Sequence, residues 1–212
     1  MNTRAPESRA ERKRQTRQAL LDAALRLLEE QSFSGLGLRA VTREAGVVPT
    51  TFYRHFERME DLGLALIDES FRTLREMIRD ARSDPANYEH VIASSVEILV
   101  RHVQQNRLHF GFIARERFSG VAEIRHAIRA EIRLFGSELA TDLARFPYMR
   151  EWGTEDLQVM AGLIVNAMVS IAEEVLDAPA GGPEAVQEIR RIAEKQLRMI
   201  VIGAPAWQSS RR

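Results

Sequence analysis

The sequence predicts an all-α protein of about nine helices. Apolar residues recur at steps of three and four through most of the chain, the spacing of one helix face. No segment sustains the alternation of β-branched residues expected of a half-buried strand. Proline and glycine fall between helix-length stretches. With 212 residues the chain can bury a core without staples, and it has no cysteine. That excludes disulfides, thiolate metal sites and a cysteine nucleophile.

The first helix opens on Ser8-Arg9-Ala10-Glu11, a capping-box pattern, and buries Leu20, Ala23, Ala24, Leu27 and Leu28. Gly35 and Gly37 end that unit. Residues 38–45 form a short second helix closed by Gly46, and residues 49–56 a third with Pro49 in its first turn. A long helix over 58–81 carries Ile67, Phe71, Leu74 and Ile78 on one face, and Asp84-Pro85 breaks it. Residues 88–106 and 110–118 give two more helices. Residues 121–145 give a long regular one through Val121, Ile124, Ile128, Ile132, Phe135, Leu139 and Leu143, stopped by Phe146-Pro147. Thr154 reads as a cap, with Glu155 and Asp156 in the first turn of a helix running to Asp177. That helix is apolar nearly all round and is expected to be buried on more than one side. After a loop over 178–182, Pro183 starts the last helix, with Val186, Ile189, Ala193, Gln196 and Ile200 on one face.

The formal charge is zero, 30 basic residues against 30 acidic. The zero conceals an asymmetry. Residues 1–20 hold six basic (Arg4, Arg9, Arg12, Lys13, Arg14, Arg17) and two acidic residues, and residues 39–58 hold four basic and two acidic. The second and third helices are separated by Gly46-Val47-Val48, the short glycine turn of a helix-turn-helix. In such a unit the third helix enters the major groove of DNA and the second crosses the backbone. A basic arm beside a basic reading helix is the electrostatic footprint of DNA binding. The expected DNA-binding residues are Arg12, Arg14, Arg39, Thr42, Arg43, Thr50, Thr51, Tyr53, Arg54 and His55, with Phe52 and Phe56 anchoring the helix from behind.

Ala45-Gly46-Val47, then Phe52-Tyr53-Arg54-His55-Phe56, then Glu60-Asp61-Leu62 opening a long helix, resembles the TetR family of bacterial repressors. The specific part of the resemblance spans about residues 16–64, while helix number and length match along the whole chain. It implies an N-terminal DNA-binding domain (1–58) and a C-terminal ligand-binding and dimerisation domain (59–212). The implied assembly is a homodimer on a palindromic double-stranded operator. Val48 departs from the pattern, standing where many members carry Ser or Thr to cap the third helix. Val48-Pro49-Thr50-Thr51 and Asp61-Leu62-Gly63-Leu64, with Arg115-Glu116-Arg117, are similar to the branch controlling unsaturated fatty acid synthesis, the FabR/DesT group. That resemblance implies a long-chain acyl-CoA effector and no cofactor.

The expected ligand-binding set is Phe71, Ile98, Phe110, Phe112, Ile113, Arg115, Arg117, Phe135, Leu139, Met160, Ile164 and Met168. An aromatic and methionine stripe also reads as plain core, whereas flexible methionines suit a pocket for chains of different shape. Arg101, Arg107, Arg115 and Arg117 suit phosphate recognition, or lie on solvated helix faces. Helices 154–177 and 183–202 are the expected dimer interface. Two other readings stay open: a regulator of an efflux system sensing a drug-like hydrophobe, and a helical lipid- or acyl-binding protein without DNA function.

Enzymatic activity is not expected, since no acid/base pair or nucleophile elbow occurs. Gly35-Leu36-Gly37-Leu38-Arg39-Ala40 follows a helix rather than the strand a dinucleotide site requires. The histidines (His55, His90, His102, His109, His126) show no metal-ligand spacing. Residues 157–172, the most apolar stretch, fall short of the ~20 residues of a membrane span. Residues 1–17 are too charged for a signal peptide. A cytoplasmic protein without a membrane partner is the expectation.

Overall fold

The computed structural model describes residues 8–82, 91–179 and 182–209, and of 76–82 the backbone alone. Arg4, the Asp84-Pro85 break, the helix start at Tyr88, His90 and part of the 178–182 loop lie outside the described residues, as does the side chain of Ile78. Among the described residues there are nine α-helices and no strand: α1 (Arg9–Leu27), α2 (Leu38–Glu44), α3 (Pro49–Phe52), α4 (Met59–Arg82), α5 (Val91–Gln105), α6 (Arg107–Glu116), α7 (Ala122–Leu143), α8 (Thr154–Asp177) and α9 (Pro183–Val201). Short 3₁₀ turns occur at Phe33–Gly35 and Ala204–Ala206.

Ser8 caps α1 by accepting from the Glu11 backbone N–H at 3.1 Å, half of the anticipated capping box. The Glu11 carboxylate pairs with Arg14 instead of reaching back. Leu21 and Leu25 join the buried face of α1, while Leu27 is only half-buried. Gly46 closes α2 at φ 68°, a left-handed conformation glycine adopts without penalty. The Val47 N–H then reaches the Thr42 carbonyl and the Gly46 N–H that of Arg43, the paired bonds of a Schellman motif. This turn sets the angle between α2 and α3.

Three expectations change. The third helix is α-helical only over Pro49–Phe52; beyond it the bonds tighten, with Arg54 N–H on the Thr51 carbonyl and His55 N–H on that of Phe52. Thr154 does not cap α8: Gly153 holds that position, its N–H donating to Ser209 Oγ at 2.7 Å. On α9 the inward residue is Leu197, 4% exposed, and Gln196 faces out.

The interior falls into three clusters. One joins α1–α3 to α4, α6 and α7 through Leu20, Phe33, Phe52, Leu62, Phe71, Phe112 and Ile124. A second packs α5 against α8 and α9, and a third gathers the ends of α7, α8 and α9. Because the first cluster runs through both halves of the chain, the N-terminal helices are docked on the rest by shared core.

Helix α8 needs a further correction. With 24 residues it is long and apolar enough to cross a membrane by length and composition. Here α5, α6, α7 and α9 pack along it. It is not buried all round: Val159 and Leu163 are 58% and 51% exposed, one turn apart on one face. On α9 and just beyond it, Met199 and Ile202 are exposed too.

Candidate nucleic-acid interface and interior

The local sequence makes α3 a short rigid projection. Pro49 presets the first helical φ, and the Thr51 N–H returns to the Val48 carbonyl at 2.9 Å. Val48 supplies no side-chain cap. Phe52 is fully buried and Phe56 nearly so, their rings 5.5 Å apart. Burying two such rings contributes about 1.5–3 kcal/mol each. With that face locked inward, Thr50, Tyr53 and Arg54 are left outward, and Tyr53 is 62% exposed with its ring edge on Phe52.

Arg39 and Arg43 on α2 are exposed beside them, and Thr51 is half-buried. Arg12 and Arg14 lie on the exposed side of α1, Arg14 paired with Glu11 at 2.5 Å. Thr42 is a correction. It is 2% exposed, and its hydroxyl donates back to the Leu38 carbonyl at 3.0 Å, so it packs the head and offers nothing to a phosphate.

His55 is half-buried, and its Nδ1 has no partner among the described residues. Burial pushes its pKa below the ordinary value, and Lys13, Arg17 and Arg54 push it the same way. Three cations therefore converge around one imidazole. Lys13 and Arg17 are absent from the expected site. Their signal is spacing: four residues apart, they share one face of α1, and Arg17 lies 5.1 Å over the Phe56 ring.

Behind the projection, the Asp61 carboxylate accepts from the backbone N–H groups of Glu57 and Arg58, fixing the start of α4. Arg58 also bonds Glu123 at 3.2 Å, tying this corner to the first turn of α7. That bond is the chief reason its guanidinium is held above its ordinary pKa.

The expected ligand-binding residues do not surround one hollow. Phe71, Phe112, Ile113 and Phe135 belong to the cluster shared with the N-terminal helices; Phe71 and Phe135 stack at 5.6 Å. Phe110, Ile98 and Met168 belong to the second cluster, Met160 and Leu139 to the third, with Ile164 bordering both. Phe118, just beyond α6, is 67% exposed and takes no part in this interior. Two open grooves lie among the described residues. One, about 510 Å³, runs between the ends of α1 and α8 along α6, past Arg107, Gly111 and Arg115. The other, about 250 Å³, lies between α7 and α8, beside Arg117, Phe118, Arg129 and Arg133.

Three of the four arginines suited to phosphate recognition already have protein partners. Arg107 donates to the Val175 and Leu176 carbonyls, at 3.3 and 2.5 Å, closing the C-terminus of α8. Arg115 donates to the Glu29 carbonyl beyond the end of α1. Arg117 pairs with Glu173 at 2.8 Å and lies over the Phe118 ring. Two residues of structural weight escape the sequence reading, Glu116 and Phe33. Glu116 is 2% exposed and accepts from the buried Phe33 N–H at 2.8 Å. Its signal is helical: it follows Phe112 and Ile113 by four and three, on the apolar face of α6.

The family model described as "Bacterial regulatory proteins, tetR family" matches residues 20–66. The "Tetracyclin repressor-like, C-terminal domain" model matches residues 88–203. The chain belongs to the TetR family. It is thus a transcriptional regulator of the TetR type, a DNA-binding class and not an enzyme class. Solved structures agree on the TetR fold. A TetR-like transcriptional regulator from Rhodococcus sp. RHA1 is 18% identical, with 93% of this chain and 100% of that chain covered and a TM-score of 0.69. The fatty acid degradation regulator FadR from Bacillus halodurans is 15% identical, over 93% and 99%, with a TM-score of 0.68. AibR, solved in complex with isovaleryl coenzyme A and operator DNA, is 16% identical, over 90% and 98%, with a TM-score of 0.64.

Proposed function

We propose that this TetR-type regulator binds a palindromic operator as a homodimer and represses genes of fatty acid synthesis or desaturation in response to long-chain acyl-CoA. The observation that carries the DNA reading is the arrangement of α3. Phe52 and Phe56 are sunk in the core, and Thr50, Tyr53 and Arg54 stand out beside Arg39 and Arg43. Short hydroxyls and guanidinium groups at a helix start suit base edges and phosphates. Lys13, Arg17 and His55 extend the same surface. Residues 1–58 form the DNA-binding part and 59–212 the effector and dimer part.

The exposed Val159 and Leu163 on α8, with Met199 and Ile202 at the end of α9, support pairing of these helices with a second copy. The acyl-CoA reading rests on the FabR/DesT-like segments of the sequence. The relative solved with isovaleryl coenzyme A and the fatty acid degradation regulator add support. The acyl chain, rather than the phosphates, carries it in this chain: Phe110, Met160 and Met168 are adaptable apolar residues, whereas Arg107, Arg115 and Arg117 are engaged by protein groups. A ligand acts only by binding two conformations unequally.

Titrating palmitoyl-CoA and oleoyl-CoA into an operator-binding assay tests the effector. A change in operator affinity with either supports it, and no change with both rejects it. Tyr53→Phe and Thr51→Ala test the reading helix: each is expected to weaken operator binding while the fold stays intact. Unchanged binding by both removes these residues from the DNA surface.

A further inference from the structure

The DNA-binding reading leaves one cluster unused. Adjacent residues at the end of α6 seize both ends of a single turn, the one that joins α1 to α2. The Arg115 guanidinium donates to the Glu29 carbonyl. The Glu116 carboxylate accepts from the Phe33 N–H at 2.8 Å. Eighty-odd residues of chain separate each pair of partners.

The grip is specified from several sides. Glu116 is 2% exposed, and its second oxygen has no partner among the described residues. A buried carboxylate satisfied at one oxygen is a costly way to fill space, so what it secures is geometry. The Phe33 ring is itself wedged in place. A methyl on Gly63 of α4 would come within 2.6 Å of Phe33 Cζ and 2.5 Å of Ile124 Cδ1 on α7, so any larger residue there must displace one of these buried side chains where the turn meets α4 and α7. The turn is thus fixed by its backbone to α6 and by its ring to α4 and α7. It shares a core with α2 and, beyond the Gly46 turn, with the reading helix. Among the described residues, the middle of α1 also meets α4 through Gln18 and Glu69 at 2.7 Å.

We infer that Arg115 and Glu116 are positioning residues for operator binding: together they form a two-point clasp by which α6 sets the orientation of the DNA-binding head. The inference rests on the reading of α1–α3 as that head. It adds a route that does not pass through the start of α4. Phe112 and Ile113, one turn before the clasp on α6, lie in the shared core. A shift of α6 there moves Arg115 and Glu116 with it, and the Glu29 to Phe33 turn follows.

Two readouts test the clasp. Because the chain has no cysteine, Ala10→Cys on α1 and Ala130→Cys on α7 give a spin-label pair across the junction, both positions being exposed. Doubly labelled chain diluted with unlabelled protein reports the distance within one chain, whatever the assembly or DNA binding. The second readout is affinity for palindromic duplexes whose half-sites are moved apart one base pair at a time. The wild type is expected to give a narrow distance distribution and a spacing preference of about tenfold, the scale of ordinary coupling between sites.

Arg115→Ala and Glu116→Ala are expected to broaden the distribution and flatten the preference to below about twofold, with helicity unchanged. Glu116→Gln keeps an acceptor for the Phe33 N–H and is expected to behave as wild type. A merely structural role for Glu116 would lower stability without flattening the spacing profile. If Glu116→Ala does not fold, the exposed Arg115→Ala decides. A wild-type distance distribution in every folded alanine variant overturns the clasp. If the wild type binds no duplex, the DNA reading fails, and the label distances still decide the clasp.

Discussion

The Arg58 guanidinium lies 3.2 Å from Oε1 of Glu123, joining the corner before α4 to the first turn of α7. Both side chains are exposed, Arg58 more than half, so the pair contributes little to stability while linking the two elements. Arg58→Ala is expected to leave the thermal midpoint near that of the wild type and to change operator affinity. Calorimetry beside a DNA-binding titration checks both. A large fall in the midpoint with unchanged affinity contradicts this division of roles.

Arg43 and Arg54 flank the projecting helix and are expected to meet phosphates. Each phosphate contact removed lowers the slope of log affinity against log salt by about 0.9. Arg43→Ala and Arg54→Ala, measured across a salt series, are therefore each expected to flatten the slope by about one. An unchanged slope in either variant places that side chain away from the backbone.

Most of this architecture was legible in the residues. The steps of three and four placed the helices. Gly46 marked the turn, and Phe52 with Phe56 told which way α3 faces. Four kinds of information were not legible. Thr42 is polar and next to Arg43, yet helical phase turns it inward, where its hydroxyl finds the Leu38 carbonyl. Arg107, Arg115 and Arg117 are equally suited to a phosphate or a helix-end carbonyl, and the choice depends on which chain end folds beside them. Phe33 lies between two serines just before Gly35, with no periodicity to reveal that it is buried at a junction of α4 and α7. The apolar character of α8 was plain, but which face a second copy would cover depends on how α5, α6, α7 and α9 pack along it.

Gly63→Ala tests the close approach at that junction. The added methyl meets Ile124 and Phe33 at distances that force a shift, and overpacking of this kind costs about 1–3 kcal/mol. Denaturant unfolding is expected to show that loss. Stability equal to the wild type means the helices can separate there freely.

Acidification is expected to destabilise the protein. Burial lowers the pKa of His109, whose Nδ1 lies 3.0 Å from Ser70 Oγ, against the opposing pull of Glu69 and Asp22. His55 is lowered as well, by burial first. Below the ordinary histidine value of 6.5, the unfolded chain takes up protons that the folded chain resists. The unfolded state then binds more protons, and stability falls as pH falls. It is regained as pH rises through 6.5. His109→Gln is expected to reduce the acid-side slope of the midpoint against pH, followed by circular dichroism. An identical slope in the variant removes His109 from this effect.

The exposed face of α8 is expected to close a dimer. Leu163→Glu places a charge on that face, and sedimentation is expected to show dissociation to monomers that keep their helicity. A variant that stays dimeric at micromolar concentration moves the interface elsewhere.

The α3 surface is expected to read a two-fold operator. Selection from a pool of random-sequence duplexes, run in parallel with wild type and Arg54→Ala, tests it most directly. The wild type is expected to enrich a palindrome whose half-sites lie ~34–36 Å apart or a multiple of that spacing. Arg54→Ala is expected to lose preference within each half-site or to bind it more weakly. Enrichment of no palindrome by the wild type, or the same palindrome at the same affinity with Arg54→Ala and with Tyr53→Phe, would contradict this reading of α3.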